Sequence, residues 1–294
     1  MQIVFALVAL VVGFVLLVKG ADWFVEGSAG IANKFGIPQI VIGLTIVAMG
    51  TSMPEAAVSI SAALRGSAEI TIGNVVGSNI MNILVILGLT AVVCQIAVQK
   101  TTIHYEIPMV IGVTILLAVM GLQNNIISRA EGVILLACMV VYMLYLLRLA
   151  KRGVVENEEM DAYAKQVSFG RLILLVVVGV AAIIFGSHVA VEAASAIARI
   201  FGISERFIGL TIVAFGTSLP ELVTSVAAAR RGNSDIAVGN IVGSNLFNIM
   251  FVVGITAVIV PVVYQPRFRV DSIVAVAAFF FNDTATTEIY TLSL

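Results

Sequence analysis

The chain has 294 residues, of which 60% are hydrophobic and 11% are charged, and its net charge is −1. A soluble domain carries roughly 25% charged residues, so this composition excludes an ordinary water-soluble domain. The balanced charge offers no basic surface for nucleic acid. We therefore expect an all-α, polytopic membrane protein whose surroundings are the lipid bilayer.

Apolar runs follow one another along the chain. A spanning helix needs about 20 largely apolar residues to cross a hydrocarbon core of about 30 Å. Five runs precede a polar segment at 151–166, and three runs and the start of a fourth follow it: 3–19, 42–64, 70–93, 107–122, 132–147, 172–191, 208–229, 236–263 and from 270 onward. The cysteines Cys94 and Cys138 lie singly in or beside these runs, which predicts small packed residues and no disulfide.

The two halves of the chain repeat each other. The block IGLTIVAMGTSMPE from Ile42 recurs as IGLTIVAFGTSLPE from Ile208, and ITIGNVVGSNIMNI from Ile70 recurs as IAVGNIVGSNLFNI from Ile236. Both pairs keep an offset of 166, and 26 of the 42 aligned residue pairs are identical. A weaker match, from Gly20 and from Gly186, keeps the same offset, so the repeat spans whole halves.

An odd number of spans in the first half predicts an inverted-topology repeat of five helices each, because the second copy then enters from the opposite side. With the N-terminus outside, the 151–166 segment is cytoplasmic and ten of the 16 Lys and Arg residues lie inside. We divide the chain into a first repeat at 1–150, a cytoplasmic loop at 151–171, an incomplete second repeat at 172–281 and a tail at 282–294.

The tail does not match the repeat. The offset predicts further helices near 273–288 and beyond residue 294, yet the apolar run stops after Phe281 and NDTATTEIYTLSL follows. Ten residues, from Ser272 to Phe281, are too few to span a bilayer. The tail resembles translated sequencing-adapter read-through, so we expect that the natural chain is cut near Phe281 and that the C-terminal end of the fold is truncated.

Two carboxylates lie near the middle of apolar runs. Glu55 and Glu221 occupy equivalent positions, and neither run carries a mid-span Lys or Arg that could pair with them. A charged side chain at this depth costs at least about 2.5–3.5 kcal/mol unless it faces a cavity or a partner. The alternative is a protonated, packed glutamate; its occurrence at two equivalent positions favours a site for a metal cation or for protons.

Each glutamate belongs to a GTSxPE motif. Proline removes an amide donor and clashes with the carbonyl four residues earlier, so Pro54 and Pro220 predict broken helices. We expect freed carbonyls near Ala48 and Ala214, together with the hydroxyls of Thr51 and Thr217, to point into a cavity. Such a break at the membrane midplane is where secondary transporters bind ions, although a purely structural kink remains the alternative.

A second repeated motif, GNxVGSNxxN, supplies further oxygen atoms. Ser78 and Asn82 lie one helical turn apart, as do Ser244 and Asn248, so each pair faces one direction. Hydroxyl, amide and carboxylate oxygens suit calcium and other hard cations, and they disfavour zinc or copper. We interpret these four residues as ligands. Ligation and interhelical hydrogen bonding stay open for the remaining asparagines, which are Asn74, Asn79, Asn240 and Asn245.

These paired motifs resemble the two α-repeats of the cation/calcium antiporter superfamily, and they are most similar to those of prokaryotic sodium/calcium exchangers. The resemblance covers 20–93 and 186–259. It implies a ten-helix exchanger fold with four core helices around the ions and two long helices, the first and the sixth, that slide across the core. It also implies that calcium and sodium bind Glu55 and Glu221, with carbonyl, hydroxyl and amide oxygens completing the sites: Ala48, Ala214, Thr51, Thr217, Ser78, Ser244 and Asn82.

One departure from the family pattern affects the coupling ion. Some relatives carry aspartate at the position of Asn248, whereas this chain has asparagine in both repeats. The site then holds at most two negative charges. The proton-coupled branch has asparagine where Thr51 and Thr217 stand, which ranks sodium above protons, and a potassium-dependent variant stays open.

The function predicted is therefore secondary-active exchange of calcium for sodium by alternating access, in the inner membrane, by a chain that works as a monomer without an obligate protein partner. A cation channel is the first rival, because it also uses oxygen ligands. An enzyme is the second, but the sequence has no HExxH motif, and His104 and His188 lie apart from the repeated motifs. We expect no cofactor and regard the ions as transported ligands. Glu26 and Glu192 also recur, and we expect them near helix ends in a packing role.

Overall fold

The computed structural model describes residues 2–94, 96, 98–152, 167–266 and 268–291. The first repeat consists of eight α-helices interrupted by three π-helical segments. The α-helices are α1 Gln2–Phe35, α2 Gln39–Ile42, α3 Ala48–Thr51, α4 Met53–Leu64, α5 Ile70–Met81, α6 Gly88–Val93, α7 Ile107–Asn124 and α8 Arg129–Arg152, and the π-helices are π1 Gly43–Val47, π2 Asn82–Leu87 and π3 Thr102–Glu106.

The second repeat follows the same order. Its α-helices are α9 Phe169–Ile200, α10 Glu205–Ile208, α11 Ala214–Thr217, α12 Leu219–Arg230, α13 Ser234–Phe247, α14 Gly254–Ile259 and α15 Phe268–Thr291, and its π-helices are π4 Gly209–Val213 and π5 Asn248–Val253. Each π-helix of the first two core spans thus recurs at the equivalent place, which shows that the sequence repeat is also a structural repeat.

The helices are long and apolar enough for a membrane. Six of them pass as candidate spans, and two further spans are helix pairs bent at a break, one near Ser52 and one near Ser218. The described residues therefore form a polytopic all-α protein, as predicted. The only described strands are β1 Ile126–Ile127 and β2 Val262–Val263, which pair antiparallel and join the loop after α7 to the loop before α15.

The C-terminal helix differs in extent from the apolar run. Helix α15 continues through the threonine-rich segment to Thr291, so the helix does not stop at Phe281. It is not among the six candidate spans found in the described residues. The foreign origin of the tail stays a prediction. Of the loop predicted at 151–171, the part at 153–166 lies outside the described residues, and the loop is shorter than predicted at both ends because α8 continues to Arg152 and α9 begins at Phe169.

Two helices are much longer than the apolar runs indicate. The first apolar run ends at Lys19, but helix α1 continues to Phe35, and α9 likewise extends from Phe169 to Ile200. Both helices are long, as the resemblance implies for the first and the sixth helix. Polar residues in their second halves do not end these helices, since each of those halves also carries a buried face, with Ala29 and Ala32 in α1 and Ala193 and Ala198 in α9.

Glycines allow α1 and α9 to pack backbone to backbone. Gly13, Gly20 and Gly27 recur every seven residues, which brings them to one face of α1. A Cβ atom added at Gly13 would lie 2.7 Å from the amide nitrogen of Ala190, and one added at Gly27 would lie 2.8 Å from the carbonyl oxygen of Leu172. Contact with successively earlier residues of α9 shows that the two helices run antiparallel.

Candidate functional site

Each repeat contributes one broken helix to the centre of the molecule. The helix axis bends by 45° between Gln39–Thr51 and Met53–Leu64, and by 50° between Thr211–Thr217 and Leu219–Arg230. Proline at the start of α4 and of α12 accounts for both breaks, because it cannot donate the amide hydrogen bond that would continue the helix. The predicted breaks at the GTSxPE motifs are confirmed.

The two breaks place the two acidic residues at equivalent positions. Glu55 lies in the first turn of α4 and Glu221 in the first turn of α12. Both residues are buried, each with 1% of its surface exposed. The amide groups at a helix N-terminus carry partial positive charge, which favours a carboxylate there. No described Lys or Arg side chain pairs with these two buried carboxylates, so bound cations could neutralise their negative charge.

Hydrogen bonds connect each carboxylate to the other repeat. The hydroxyl of Ser52 donates to Oε1 of Glu221 at 2.7 Å, and the hydroxyl of Ser218 donates to Oε1 of Glu55 at 3.5 Å. Because each serine lies three residues before the glutamate of its own repeat, the crossed contacts bring the two acidic residues to one place. The site therefore sits where the two halves of the chain meet.

The serines of the second motif point to the same place. Ser78 donates to Oε1 of Glu55 at 3.4 Å, and Ser244 donates to Oε1 of Glu221 at 3.5 Å. Ser244 also contacts the carbonyl oxygen of Ala48 at 3.4 Å. The predicted convergence of both motifs from both repeats is thus what the structure contains.

The threonine and alanine positions differ between the repeats. Each threonine hydroxyl contacts the carbonyl of the alanine three residues earlier, at 3.3 Å for Thr51 and 3.2 Å for Thr217. Thr51 is fully buried and its hydroxyl also donates to Oδ1 of Asn240 at 2.9 Å, whereas Thr217 is partly exposed. The expectation that the kink frees the Ala48 carbonyl is wrong, because this carbonyl still accepts a hydrogen bond from the amide of Ser52 at 3.1 Å. The hydroxyls of Thr51 and Ser244 also contact this oxygen, at 3.3 and 3.4 Å.

Within the two repeated motifs, four buried oxygen atoms have no hydrogen-bond donor among the described residues. They comprise one carboxylate oxygen from each glutamate and one amide oxygen from each of two asparagines: Glu55 Oε2, Glu221 Oε2, Asn82 Oδ1 and Asn248 Oδ1. Burying such atoms unpaired costs free energy, and a hard cation bound by oxygen ligands would offset that cost. The four atoms come two from each repeat, so the set has the internal symmetry of the chain.

The amide nitrogens of these asparagines fix the direction of the free oxygens. Asn82 donates through Nδ2 to Oδ1 of Asn245 at 3.0 Å, and Asn248 donates to Oδ1 of Asn79 at 3.1 Å. Asn79 in turn donates to the backbone carbonyl of Asn245 at 3.1 Å. These contacts join α5 and π2 to α13 and π5, which supports the interhelical interpretation for Asn79 and Asn245.

The remaining two asparagines support the glutamates from behind. Asn74 donates to the backbone carbonyl of Glu55 at 3.1 Å and to the hydroxyl of Ser59 at 3.0 Å. Asn240 makes the equivalent bonds to Glu221 and Ser225, at 3.3 and 2.9 Å. Both therefore hold the first turn of the glutamate helix against the following helix.

The sequence interpretation missed Ser52 and Ser218. Both stand in the GTSxPE motif and are 0% and 1% exposed, but the sequence analysis assigns a role only to the threonine, the proline and the glutamate of this motif. Their repetition at the offset of 166 was the available signal. That each serine binds the carboxylate of the opposite repeat could not be read from the sequence.

Residues with other ligand chemistry lie elsewhere. His104 and His188 are exposed, and Cys94 and Cys138 are free thiols. Within the described ranges there is no group of three or more His, Cys, Asp or Glu side chains that could hold a metal, so the site combines two carboxylates with neutral oxygens. Glu26 and Glu192 lie inside α1 and α9, so the expectation that they are near helix ends is wrong.

The packing around the site is not symmetric. We call Gln39–Thr51 the first arm and 205–217 the second arm. A Cβ atom at Gly43 of the first arm would lie 3.0 Å from the Cα atom of Gly239, so this arm packs tightly on α13. A Cβ atom at the equivalent Gly209 of the second arm, or at Gly77 of α5, would meet no described atom within 4 Å. The Gly209–Val213 part of the second arm therefore stands away from α5, while Ala214–Thr217 contacts it.

An inverted repeat that brings paired carboxylates together at the breaks of two membrane helices defines a secondary transporter. A family model described as sodium/calcium exchanger protein matches residues 5–148 and 171–288. The chain belongs to the sodium/calcium exchanger family. This family membership makes the protein a transporter and agrees with the resemblance identified in its repeats.

Individual relatives cover most of the chain. The putative antiporter CaxA of Alkalimonas amylolytica is 40% identical over 278 residues, which are 93% of this chain and 87% of CaxA. The inner membrane protein YrbG of Escherichia coli K12 is 38% identical over 260 residues, which are 86% of this chain and 79% of YrbG.

The fold also matches a solved exchanger. A structure of the sodium-calcium exchanger NCX_Mj, soaked with 10 mM Na+ and zero Ca2+, superposes with a TM-score of 0.83 at 32% sequence identity. The match covers 97% of this chain and 92% of that chain. The exchanger fold of the present chain is thereby shown.

Proposed function

We propose that this protein exchanges calcium for sodium across the membrane by alternating access, with both ions as transported substrates. The observation that carries the proposal is the set of four buried motif oxygens without a described hydrogen-bond donor, one carboxylate and one amide oxygen from each repeat. An all-oxygen set of this kind suits calcium and sodium. The family membership and the likeness to NCX_Mj support the same substrates.

The residues proposed to hold the ions are those that approach the two carboxylates. Glu55 and Glu221 supply charge, Asn82 and Asn248 supply amide oxygens, and hydroxyl or carbonyl oxygens complete the coordination: Ser78, Ser244, Thr51, Thr217, Ala48 and Ala214. The buried position of Thr51 and the partial exposure of Thr217 support a site that is closed on one side and open on the other.

The charge of the site supports exchange. Two buried carboxylates that carry no cation are costly, because each loses hydration and the two repel each other. One calcium ion neutralises both charges, and so do two sodium ions. If the two charges must be neutralised before the arms can close, the protein without a bound ion changes its access state slowly. The movement of one ion in one direction then depends on the movement of the other ion in the opposite direction.

The unequal packing of the two arms supports alternating access. The first arm packs its backbone against α13, whereas the equivalent surfaces of the second arm and α5 are apart. Because the two halves have nearly the same sequence in these segments, the opposite arrangement is available at similar free energy. In it, Gly209 packs against α5 and Gly43 separates from α13, and the site opens to the other face of the membrane.

The placement in the membrane follows from the same reasoning. The relation to an inner membrane protein and the excess of Lys and Arg in the loops assigned to the inside support a cell-membrane location with the N-terminus outside. The proposed unit is the monomer, since both halves of the site come from one chain.

The test uses the full chain in proteoliposomes. Calcium uptake is measured with an outward sodium gradient, and separately with potassium and proton gradients, for the unmodified protein and for Glu55→Gln and Glu221→Gln. We expect sodium-driven uptake that either substitution abolishes. Uptake driven only by a proton or potassium gradient would show that this ion, and not sodium, is the coupling ion. Uncoupled, non-saturating flux would indicate a channel. Full activity in either variant would refute the site.

A further inference from the structure

A surface ion-pair cluster joins the long helix α1 to the end of the glutamate helix α12. The guanidinium of Arg231 lies 3.4 Å from Oδ1 of Asp22 and 3.5 Å from Oε2 of Glu26. Asp22 and Glu26 are one helical turn apart on α1, so both carboxylates face the same guanidinium. We name this cluster of Arg231, Asp22 and Glu26 the first latch. It connects a helix at the surface of the core to a helix of the ion site.

The components of this latch recur in the other repeat. At the offset of 166, Arg231 corresponds to Arg65 and Glu26 corresponds to Glu192. Each arginine caps the C-terminus of its glutamate helix and precedes a glycine with positive φ, +83° at Gly66 and +77° at Gly232. The same turn thus presents both arginines, and we name Arg65 with Glu192 and His188 the second latch.

The second latch is not formed in this structure. Arg65, His188 and Glu192 are all exposed, and within the described part of the chain none of them lies in an ion pair. Helix α1 packs along α12, whereas α9 makes no comparable contact with the described α4. The first latch is therefore closed and the second latch is open, just as the first arm is packed on its neighbour and the second arm is not.

We infer that the two latches close in turn, each in one of the two access states, and so set the balance between them. This inference rests on the proposed alternating access. The first latch ties α1 to α12 in the state described here. In the other access state, Arg65 pairs with Glu192 on the opposite face of the membrane, and Arg231 separates from Asp22 and Glu26.

The two latches are unequal, and the difference has a direction. Asp22 has a carboxylate where the second latch has the imidazole of His188. The first latch therefore opposes one guanidinium with two carboxylates, and the second opposes it with one. Since each added opposite charge favours the closed pair, the present chain favours the state in which the first latch is closed. Substitution of His188 by aspartate makes the latches equal.

Hydrogen exchange of the two arms provides the test, because one arm is packed and the other stands apart. The full chain is reconstituted in lipid nanodiscs without ion gradients, and mass spectrometry compares exchange in peptides covering Gln39–Thr51 and 205–217. For His188→Asp we expect the ratio of exchange between the arms to move toward the opposite state by about twofold to fivefold, the range for one exposed ion pair.

The inverted repeat supplies matched controls. Arg65→Gln added to His188→Asp should cancel the shift, and Arg231→Gln alone should shift the ratio in the same direction as His188→Asp. An unchanged ratio in His188→Asp, or a shift that survives Arg65→Gln, overturns the latches. Calcium uptake by the same variants is measured separately. Latch-dependent shifts in a chain that never couples calcium to sodium would refute the proposed exchange and leave the latches standing.

Discussion

Ser52 of the first repeat donates a hydrogen bond of 2.7 Å to Glu221 of the second, and this contact is shorter than its repeat-related counterpart from Ser218 to Glu55, at 3.5 Å. The carboxylate of each half is thus held by the hydroxyl of the other half, but not equally. Both contacts cross between the halves, so under the proposed alternating access the serines would connect the proposed ion site to the motion of the halves.

Replacing Ser52 by alanine should weaken calcium binding more than replacing Ser218. A hydrogen bond to a charged group contributes about 1.5–3 kcal/mol, so we expect the calcium concentration for half-maximal uptake to rise by roughly tenfold or more in Ser52→Ala, and less in Ser218→Ala. Calcium uptake in proteoliposomes measures this. Ser61→Ala, on the same helix as Glu55 but outside the site, is the control. Equal effects of the first two variants would contradict the unequal geometry.

An added negative charge at Asn248 should favour calcium over sodium. Asn248→Asp adds a third carboxylate to the proposed site, and a divalent ion gains about twice the Coulomb energy of a monovalent ion from each added charge. We expect the sodium concentration that displaces half of the bound calcium to rise several-fold. Asn82→Asp, the repeat-related variant, should act in the same direction. Unchanged competition in both variants would show that these amide oxygens do not face the ions.

A bulky side chain at Gly209 should arrest transport without preventing ion binding. Valine fits there in the present state, because a Cβ atom meets no described neighbour within 4 Å, but it would block the packing that Gly43 shows at the equivalent position. Gly209→Val should bind calcium with unchanged affinity and fail to exchange it. Binding by equilibrium dialysis and exchange in proteoliposomes separate the two properties.

The matched substitution is Gly43→Val. Its Cβ atom would lie 2.9 Å from the carbonyl oxygen of Ile236 and 3.0 Å from the Cα atom of Gly239, so this variant should disfavour the present state itself. We expect increased hydrogen exchange in the first arm. Normal exchange of calcium for sodium by Gly209→Val would show that Gly209 of the second arm never packs against α5.

The asparagine pair between the repeats should contribute to stability. Asn79→Leu removes the bonds to the carbonyl of Asn245 and to the amide of Asn248. Hydrogen bonds between membrane helices are worth about 0.6–2 kcal/mol each, so the melting temperature in detergent should fall by a few degrees. Gln123→Leu, at an exposed position at the end of α7, is the control and should leave the melting temperature unchanged.

The sequence by itself determined the class of protein and most of the residues proposed for the site. The composition required a membrane, since so few charges cannot keep a chain of this length in water. The offset of 166 showed that two copies of one unit are present, and the paired prolines placed a break beside each glutamate because proline cannot continue a helix. Glu55 and Glu221 stood out because an ionisable group in an apolar run needs a partner.

Only the tertiary structure decided which residues of one repeat contact which residues of the other, and which of the two arms is packed against its neighbour. The crossed bonds of Ser52 and Ser218, the pairing of Asn79 with Asn245, and the closed latch at Arg231 all join residues more than 160 positions apart in the chain, and no local pattern specifies such contacts. The difference between Gly43 and Gly209 is not a property of the sequence, because both segments read GLTIV. Under the proposed alternating access, it arises because two nearly identical halves cannot both pack against their neighbours while the site is open to one side.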